Sequence, residues 1–359
     1  MKVLLVATSI QQTTGYAKVS KYLLRELKKH HQVCHFAFQK NEHSKEETFV
    51  PTYESGTEEQ GFGFSKLQNA VDFSTPDVII LYNDPIVIAT FLKHLKTDAK
   101  ILVYYDLPYD GVNRDLLDFI DQRTHLYYVM TPKTKKFLEH ATKKPIVVLP
   151  HGVDHDIFKK TNTVVNNPEY KTFINVNRNS QRKRLDITIQ AFLRYLKAGN
   201  RGRLLLVTDS RGFYDIPSII QIEAGLHGIK NADITFVDTS KKVLSDADIN
   251  DLYNQADVNL NTSDGEGFGL SVAESSAVGL SQVITDVGDY SSFADATVVP
   301  APLHHYLNNQ AGILAKLTTP DLFAEGMATA AVPPRKQKTW TEALSPLIDS
   351  LIDQANNTN

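Results

Sequence analysis

The chain alternates, almost from end to end, between short apolar runs and longer segments in which apolar residues recur with helical spacing. Continuous apolar strands that are separated by helices are typical of a parallel sheet covered on both faces. The sequence therefore predicts an α/β protein. The predicted strands are 3–7, 33–38, 77–82, 100–105, 125–130 and 145–149, then 172–176, 204–208, 234–237, 258–260 and 283–285.

The alternation is interrupted once, at residues 150–158, and an asparagine-rich stretch follows at 162–167. A chain of 359 residues is also too long for one ordinary core. We therefore expect two Rossmann-like domains facing across a cleft, residues 1–150 and 151–336. Ligands of such sheets bind beyond the carboxyl ends of the strands. A last segment, 337–359, carries a helix from residue 340 to residue 352, and residues 40–64 are predicted to be a mobile loop.

Composition excludes several classes of protein. The net charge is −3 and the pI about 6.5, so the chain has no basic field for nucleic acid. A single cysteine, Cys34, suits a reducing compartment, and no apolar run reaches the length of a membrane span or a signal peptide. We expect a soluble, cytoplasmic protein, with at most a peripheral membrane contact through the basic helix 17–30. The sequence leaves the oligomeric state open.

One stretch, residues 264–274, reads Asp-Gly-Glu-Gly-Phe-Gly-Leu-Ser-Val-Ala-Glu. Its glycines leave backbone N–H groups open where a helix begins, which is where a diphosphate is held. Glu274 is the only charge between residues 270 and 282, and burying it without a partner would be costly. We predict a nucleotide-sugar site in which Glu274 binds ribose hydroxyls and Glu266 binds sugar hydroxyls; the alternative is a surface turn before an ordinary helix. The amides expected to contact phosphate or sugar oxygens are those of Gly267, Phe268, Gly269 and Leu270.

A second candidate cluster follows the first strand of the second domain. Residues 175–186 contain four basic residues, including Arg178 and Lys183, at the predicted start of a helix. Cations at a helix N-terminus oppose the helix dipole, so we expect an anion there, and a diphosphate fits. The alternative interpretation is a solvated helix start.

Three other signals suggest metal or cofactor chemistry and are discounted. The triplet Asp246-Ala-Asp248 lies at a helix start, where acidic residues suit the dipole. The histidines around Cys34 span a helix end and a strand start, so their side chains should diverge, and the pair His304-His305 has no evident context. The chain also lacks a P-loop and a Gly-x-Gly-x-x-Gly motif.

The pairing of Arg178 and Lys183 with the stretch from Glu266 to Glu274 resembles the signature of retaining GT-B glycosyltransferases of family 4, glycosyl transferases group 1. The resemblance extends over nearly the whole chain, including residues 150–158, 251–258 and 338–340. It implies a GT-B fold with an N-terminal acceptor domain, a C-terminal donor domain, and a last helix that returns to the N-terminal domain. It also implies transfer with retention, without a metal cofactor.

The resemblance assigns roles to matched residues. Arg178 and Lys183 would neutralise the departing diphosphate, Glu266 would fix the donor sugar, and Glu274 the ribose. Gly15 matches the glycine loop that approaches donor and acceptor. Backbone at residues 237–240, beginning with Val237, would choose the base.

The sequence departs from this family at two places. Many members have two adjacent glycines where this chain has Gly15-Tyr16, and many have a histidine near the reacting carbon where this chain has residues 104–108. Asp106, Tyr105 or a backbone carbonyl would then replace that histidine.

The function expected is transfer of a hexose from a nucleoside-diphosphate sugar to a hydroxyl of a glycan or lipid-linked acceptor. GDP-mannose is the first candidate donor and UDP-glucose the second. Two alternatives remain: a non-catalytic sugar-nucleotide-binding module, and a nucleotide-sugar epimerase of GT-B-like fold.

Overall fold

The computed structural model describes residues 1–41, 44, 46–161, 170–307 and 312–356. The asparagine-rich stretch 162–167 lies outside the described residues. The contacts divide the chain into two compact units. Within the described residues, the N-terminal unit comprises Met1–Gly152 with residues 312–313 and 340–356, and the C-terminal unit comprises Val153–Leu307 and Leu314–Thr339.

The N-terminal unit is built on a seven-stranded, wholly parallel sheet in the order β3-β2-β1-β4-β5-β6-β7. Its central strands are continuous runs of buried apolar residues, as a sheet covered on both faces requires. The strands are β1 (Lys2–Thr8), β2 (Gln32–Phe38), β3 (Thr52–Glu54), β4 (Val78–Asn83), β5 (Lys100–Tyr105), β6 (Leu126–Val129) and β7 (Ile146–Val148). The helices are α1 (Gly15–Leu27), α2 (Leu67–Ser74), α3 (Pro85–His94), α4 (Arg114–Asp121) and α5 (Pro132–Glu139).

The prediction of a loop over residues 40–64 was partly wrong, because β3 lies within it and pairs in parallel with β2. Three half-exposed or exposed residues are too few to show a strand period, so the pattern hid this edge strand. Two 3₁₀ turns, Glu59–Gly61 and Phe64–Lys66, follow it.

The C-terminal unit has a six-stranded parallel sheet in the order β10-β9-β8-β11-β12-β13 and a separate antiparallel hairpin, β14-β15. The strands are β8 (Lys171–Val176), β9 (Gly202–Thr208), β10 (Ile234–Asp238), β11 (Val258–Asn261), β12 (Ser281–Thr285), β13 (Thr297–Val299), β14 (Leu303–Tyr306) and β15 (Leu314–Leu317). The helices are α6 (Leu185–Lys197), α7 (Ile216–His227), α8 (Asp246–Tyr253), α9 (Leu270–Val278) and α10 (Pro320–Thr329). The last three strands and α10 were not predicted.

The final helix, α11 (Trp340–Asn356), belongs to the N-terminal unit. Trp340 stacks on Tyr22 of α1 with ring centroids 4.5 Å apart, and the Thr341 hydroxyl donates a hydrogen bond of 3.0 Å to Glu26. The structure confirms the predicted fold class of two parallel α/β domains.

Candidate functional site

In the C-terminal unit, the two predicted clusters follow the carboxyl ends of β8 and β11, which are neighbours in the sheet. A series of buried hydrogen bonds connects the two loops. The Asn175 amide donates to the Thr188 hydroxyl at 2.8 Å, and that hydroxyl lies 2.7 Å from the hydroxyl of Thr262. Thr262 in turn donates to the backbone carbonyl of Lys183 at 3.0 Å. These hydrogen bonds hold the backbone of Lys183 in place.

Two cations from the first loop bind one carboxylate from the second. Lys183 Nζ lies 2.5 Å from Glu266 Oε2, and Arg182 Nη1 lies 3.0 Å from Glu266 Oε1. Ser263 Oγ also donates to Glu266 Oε2 at 3.2 Å, and Arg182 Nη1 bonds the carbonyl of Gly265 at 2.6 Å. Glu266 is 8% exposed. We call Arg182, Lys183 and Glu266 the Glu266 cluster.

Burial and charge oppose each other within the Glu266 cluster. Desolvation disfavours an ionised Glu266, but the charges of Arg182 and Lys183 outweigh it and lower the pKa of Glu266 to about 2. Desolvation lowers the pKa of Lys183 to about 8, because the attraction of Glu266 offsets only part of it. Two cations, Lys183 and the partly exposed Arg182, share one anion, so the cluster is positive at neutral pH.

The sequence analysis did not select Arg182 as a site residue. Arg182 lies in the basic run, but the direction of its side chain depends on the 3₁₀ turn Gln181–Lys183, which lies between β8 and α6. A periodicity of apolar residues carries no information about such a turn.

Two glycines shape the turn that holds Glu266. Gly269 has φ +100°, and a Cβ there would lie 2.6 Å from Tyr290 Cε1. Gly288 has φ +64°, and its Cβ would lie 2.8 Å from the carbonyl oxygen of Glu266. Both positions therefore require glycine. Tyr290 is a second missed neighbour of the cluster: it is buried, and its hydroxyl has no hydrogen-bond partner among the described residues.

The helix α9 begins at Leu270 with Gly269 as an N-cap that has no side chain to bond the helix. The first amides of a helix have no acceptor within it, so Leu270 and Ser271 begin α9 without an intrahelical partner. The ring of Phe268, just before, is buried and stacks on Phe293 with centroids 4.2 Å apart. Gly267, Phe268, Gly269 and Leu270 thus form a backbone turn directly after Glu266.

The other predicted donor residues lie in a helix, a loop and a strand of the C-terminal unit. Glu274 is 6% exposed in α9, and its charge contributes, after burial, to raising the pKa of Tyr253. Arg178 is exposed, and its charge helps to lower the pKa of Lys183. Val237 lies in β10, and β9 separates that strand from β8.

Gly15 and Asp106 belong to the N-terminal unit. Gly15 is the first residue of α1, and Thr14 caps this helix by accepting a 3.2 Å bond from the amide of Ala17. Asp106 follows β5, and its amide donates to the carbonyl of Asn83 at 3.1 Å. Both therefore lie at the carboxyl edge of the sheet.

The alternative residue Tyr105 points elsewhere. It is 0% exposed, packs within the hydrophobic core, and stacks on Tyr127 with centroids 5.3 Å apart. Successive strand residues face opposite sides of a sheet. Of the two side chains considered for the missing histidine, Asp106 is the one at the sheet edge.

The described residues contain no group of three or more His, Cys, Asp or Glu side chains that could hold a metal ion. Asp248 completes a capping box with Ser245 at the start of α8; the sequence predicted the helix start but not the capping box. His35 is buried in β2, with Nε2 3.2 Å from the carbonyl oxygen of Ala7, while His30 and His31 follow the end of α1. His304 and His305 lie in β14.

Comparison with known proteins supports the fold described above. Residues 170–331 match the protein family Glycosyl transferases group 1. The C-terminal unit thus carries a glycosyl transferases group 1 domain, and this domain contains the whole Glu266 cluster. No curated protein sequence is significantly similar to the chain.

Three solved structures resemble the chain over most of its length. Sucrose-phosphate synthase from Thermosynechococcus elongatus is 14% identical, with a TM-score of 0.68 over 91% of this chain and 89% of that one. A trehalose-6-phosphate structure from E. coli, bound with UDP-2-fluoro glucose, is 13% identical, with a TM-score of 0.63 over 92% and 91%. Anabaena HepE in complex with UDP is 15% identical, with a TM-score of 0.60 over 92% and 89%. The chain has the GT-B fold.

No helix within the described part of the chain is both long and apolar enough to cross a membrane.

Proposed function

We propose that this protein is a retaining GT-B glycosyltransferase that moves a hexose from a nucleoside-diphosphate sugar to an acceptor hydroxyl. The observation that carries the proposal is the Glu266 cluster, a positively charged group around a buried carboxylate, placed just before the backbone turn into α9. An excess of positive charge beside open helix amides suits a diphosphate.

In the reaction, the bond between the sugar's anomeric carbon and the diphosphate oxygen breaks, and a bond from that carbon to the acceptor oxygen forms on the same face. The hydroxyl proton passes to the departing phosphate oxygen. Lys183 and Arg178 stabilise the negative charge that grows on the diphosphate. Both oxygens of Glu266 are bound by cations, which makes Glu266 a poor nucleophile. Oε1, which Arg182 binds, can accept one further hydrogen bond, from a hydroxyl of the donor sugar.

For the donor, two of the structural neighbours hold uracil nucleotides, which favours UDP-glucose over GDP-mannose. Glu274 takes the ribose, and backbone at Val237 faces the base. The acceptor is a glycan or lipid-linked hydroxyl, no metal cofactor is required, and the protein acts in the cytoplasm.

The test is incubation with UDP-glucose, GDP-mannose and ADP-glucose, each with and without EDTA, followed by analysis of the products. Release of free nucleotide in EDTA supports metal-independent transfer, or slow hydrolysis where no acceptor is present. An isomerised donor would indicate the epimerase, and binding without turnover would indicate the sugar-nucleotide-binding module. Activity lost on EDTA would contradict the metal-independent mechanism.

A further inference from the structure

A small cavity lies at the carboxyl edge of the N-terminal sheet, between the segment that follows β3 and the start of α3, which follows β4. Its volume is about 390 Å³, which is within the range of small-molecule sites. Four apolar and two polar side chains form most of its lining: Phe62, Phe64, Ile86, Val87, Glu59 and Gln60.

The cavity lies at the place where the chain order of the sheet reverses. β1 and β4 are hydrogen-bonded neighbours, but the chain leaves β1 through α1 towards β2 and leaves β4 through α3 towards β5, on the opposite side. In open parallel sheets, ligands bind outside the carboxyl ends of the strands at such a point. Gly15, which is predicted to approach the acceptor, begins α1, and the cavity residues Ile86 and Val87 lie in the first turn of α3.

The backbone on one side of the cavity is strained and firmly held. Of the five non-glycine residues with a left-handed φ in the described part of the chain, three lie here: Gln39 at +56°, Glu59 at +52° and Gln60 at +59°. The amide of Gln39 donates a 2.7 Å hydrogen bond to the carbonyl of Gly61, and the buried hydroxyl of Ser55 donates a 2.6 Å bond to the same oxygen. Such conformations are unfavourable for residues with a Cβ, and they are found most often where a ligand binds.

The apolar wall of the cavity is anchored in the core. The rings of Phe62 and Phe64 stack with centroids 5.0 Å apart and an angle of 11° between their planes. Phe62 packs on Phe38 at 5.4 Å and Phe64 on Phe91 at 4.7 Å, and these two partners are fully buried. Phe62 and Phe64 themselves are only half-buried, and Ile86 is 38% exposed. A preformed apolar surface is therefore left partly open to solvent.

The polar side chains of the cavity suit a neutral ligand with hydroxyl groups. Glu59 Oε2 accepts a 3.1 Å hydrogen bond from the amide of Ser65, whereas Oε1 has no partner among the described residues. The exposed side chain of Gln60 supplies an amide beside it. None of the described residues that line the cavity is basic, so a phosphate would meet a carboxylate without any cation. A sugar ring fits better, because its C–H faces are apolar and its edge carries hydroxyls.

We propose that this cavity binds a sugar unit of the acceptor next to the unit that carries the reacting hydroxyl, so that the acceptor is a glycan and not a single sugar. This proposal rests on the proposed glycosyltransferase function and chooses between its two acceptor classes. The sugar packs on Phe62 and Phe64, and Glu59 and Gln60 bind its hydroxyls. A lipid chain would use the apolar wall but neither polar side chain.

The first test compares acceptors, using whichever donor the protein turns over. The probes are the methyl glycosides of glucose and mannose and disaccharides of the same sugars. At least one disaccharide should have a kcat/KM about tenfold above that of its methyl glycoside, because the second sugar adds apolar contact and hydrogen bonds. Ile86→Trp fills the cavity and should bring this ratio close to one. Glu59→Gln keeps an acceptor for the Ser65 amide but removes the charge, and it should lower the ratio about threefold.

Each variant has a matched control. Glu58→Gln removes the same charge from the neighbouring residue, which pairs with Lys66 at 2.6 Å and does not line the cavity. Lys93→Trp places the same ring on the exposed last turn of α3. Both controls should keep the wild-type ratio. A ratio near one for every disaccharide with the wild type, or a ratio that Ile86→Trp leaves unchanged, would overturn the proposal. If n-octyl glycosides were preferred to disaccharides and Ile86→Trp removed that preference, the cavity would bind a lipid chain instead.

Binding without a donor separates this proposal from the broader one. Saturation-transfer NMR with the same disaccharides should show contact between one sugar unit and aromatic protons of the protein, and Ile86→Trp, but not Lys93→Trp, should remove it. If that contact were found but no donor were turned over, the glycosyltransferase function would be refuted while the cavity remained a sugar site. Transfer to acceptors without such a contact, and with a ratio near one, would refute the role of the cavity alone.

Discussion

Both units are built on parallel α/β sheets, but the ionisable side chains at the carboxyl edges of the two sheets have different neighbours. At the edge of the C-terminal sheet, two cations enclose one buried carboxylate, Glu266. At the edge of the N-terminal sheet, the charge of one carboxylate, Asp106, helps burial to raise the pKa values of three phenols, Tyr16, Tyr82 and Tyr104. The parallel sheet only offers an edge, and the loops that follow its strands decide what chemistry the edge supports.

This difference has a consequence for pH. Lys183 is held in its charged form against a desolvation cost, so its proton is weakly bound. The phenols near Asp106 stay protonated because burial raises their pKa values. The C-terminal edge should therefore be sensitive on the alkaline side, where Lys183 loses its proton, whereas these phenols of the N-terminal edge keep theirs.

The largest expected effect is on catalysis, from Lys183→Ala. Removal of one preorganised charge next to the departing group should lower kcat about 10³-fold. The matched control is Lys197→Ala, at the exposed end of the helix that follows Lys183, and it should leave kcat unchanged. Steady-state kinetics with whichever donor the protein turns over measures both. An unaffected Lys183→Ala would remove Lys183 from the site.

The next effect is on stability, and it contrasts the two edges directly. Glu266→Gln leaves Lys183 and the partly exposed Arg182 without their anion, and breaking such a pair should cost about 3 kcal/mol. Asp106→Asn keeps the size of a side chain at the N-terminal edge and should cost less, about 1 kcal/mol. Urea denaturation of both variants checks the difference. Equal losses would mean that the Glu266 cluster is no more costly to disrupt than the N-terminal edge.

Part of this site could be predicted from the sequence. The apolar runs locate the strands, and a charge at a strand end is expected near a ligand, which selects Lys183 and Glu266 separately. That they bind each other could not be predicted, because 83 residues separate them and contact depends on β8 lying beside β11.

Short strands were not predicted from the sequence, for a different reason. β3 and β13 have three residues each, which is less than the length over which alternation is recognisable. Tyr290 was missed because a lone aromatic residue after β12 is no different in sequence from a core residue. Only the three-dimensional turn brings it against Gly269.

A smaller effect is expected from Gly269→Ala, which tests how strictly the C-terminal edge depends on its backbone. The new Cβ meets both a left-handed φ and the ring of Tyr290 at 2.6 Å, so the cost should be about 2 kcal/mol. Gly199→Ala is the control, because its φ is also left-handed at +89° but nothing lies within 4 Å of the added atom. It should cost about 1 kcal/mol. Thermal or urea unfolding measures both variants. Equal losses of stability would mean that the ring of Tyr290 moves aside without cost.

The smallest effect is the dependence of nucleotide binding on pH. Because the pKa of Lys183 is about 8, the charged fraction falls about tenfold per pH unit above that value, and UDP affinity should fall with it. Stability should change in the other direction. The folded pKa lies below the ordinary value of 10.5, so between these values the unfolded chain binds more protons, and unfolding becomes less favourable as pH rises.

Calorimetric titration with UDP between about pH 7 and 9, beside urea denaturation at the same pH values, separates the two trends for Lys183. Lys183→Arg serves as the control, because a guanidinium does not titrate in this range and should give a flat affinity profile. If wild-type affinity were equally flat, Lys183 would not be the cation that binds the diphosphate. If affinity and stability fell together, the loss of binding would reflect unfolding of the C-terminal edge instead of the loss of one proton.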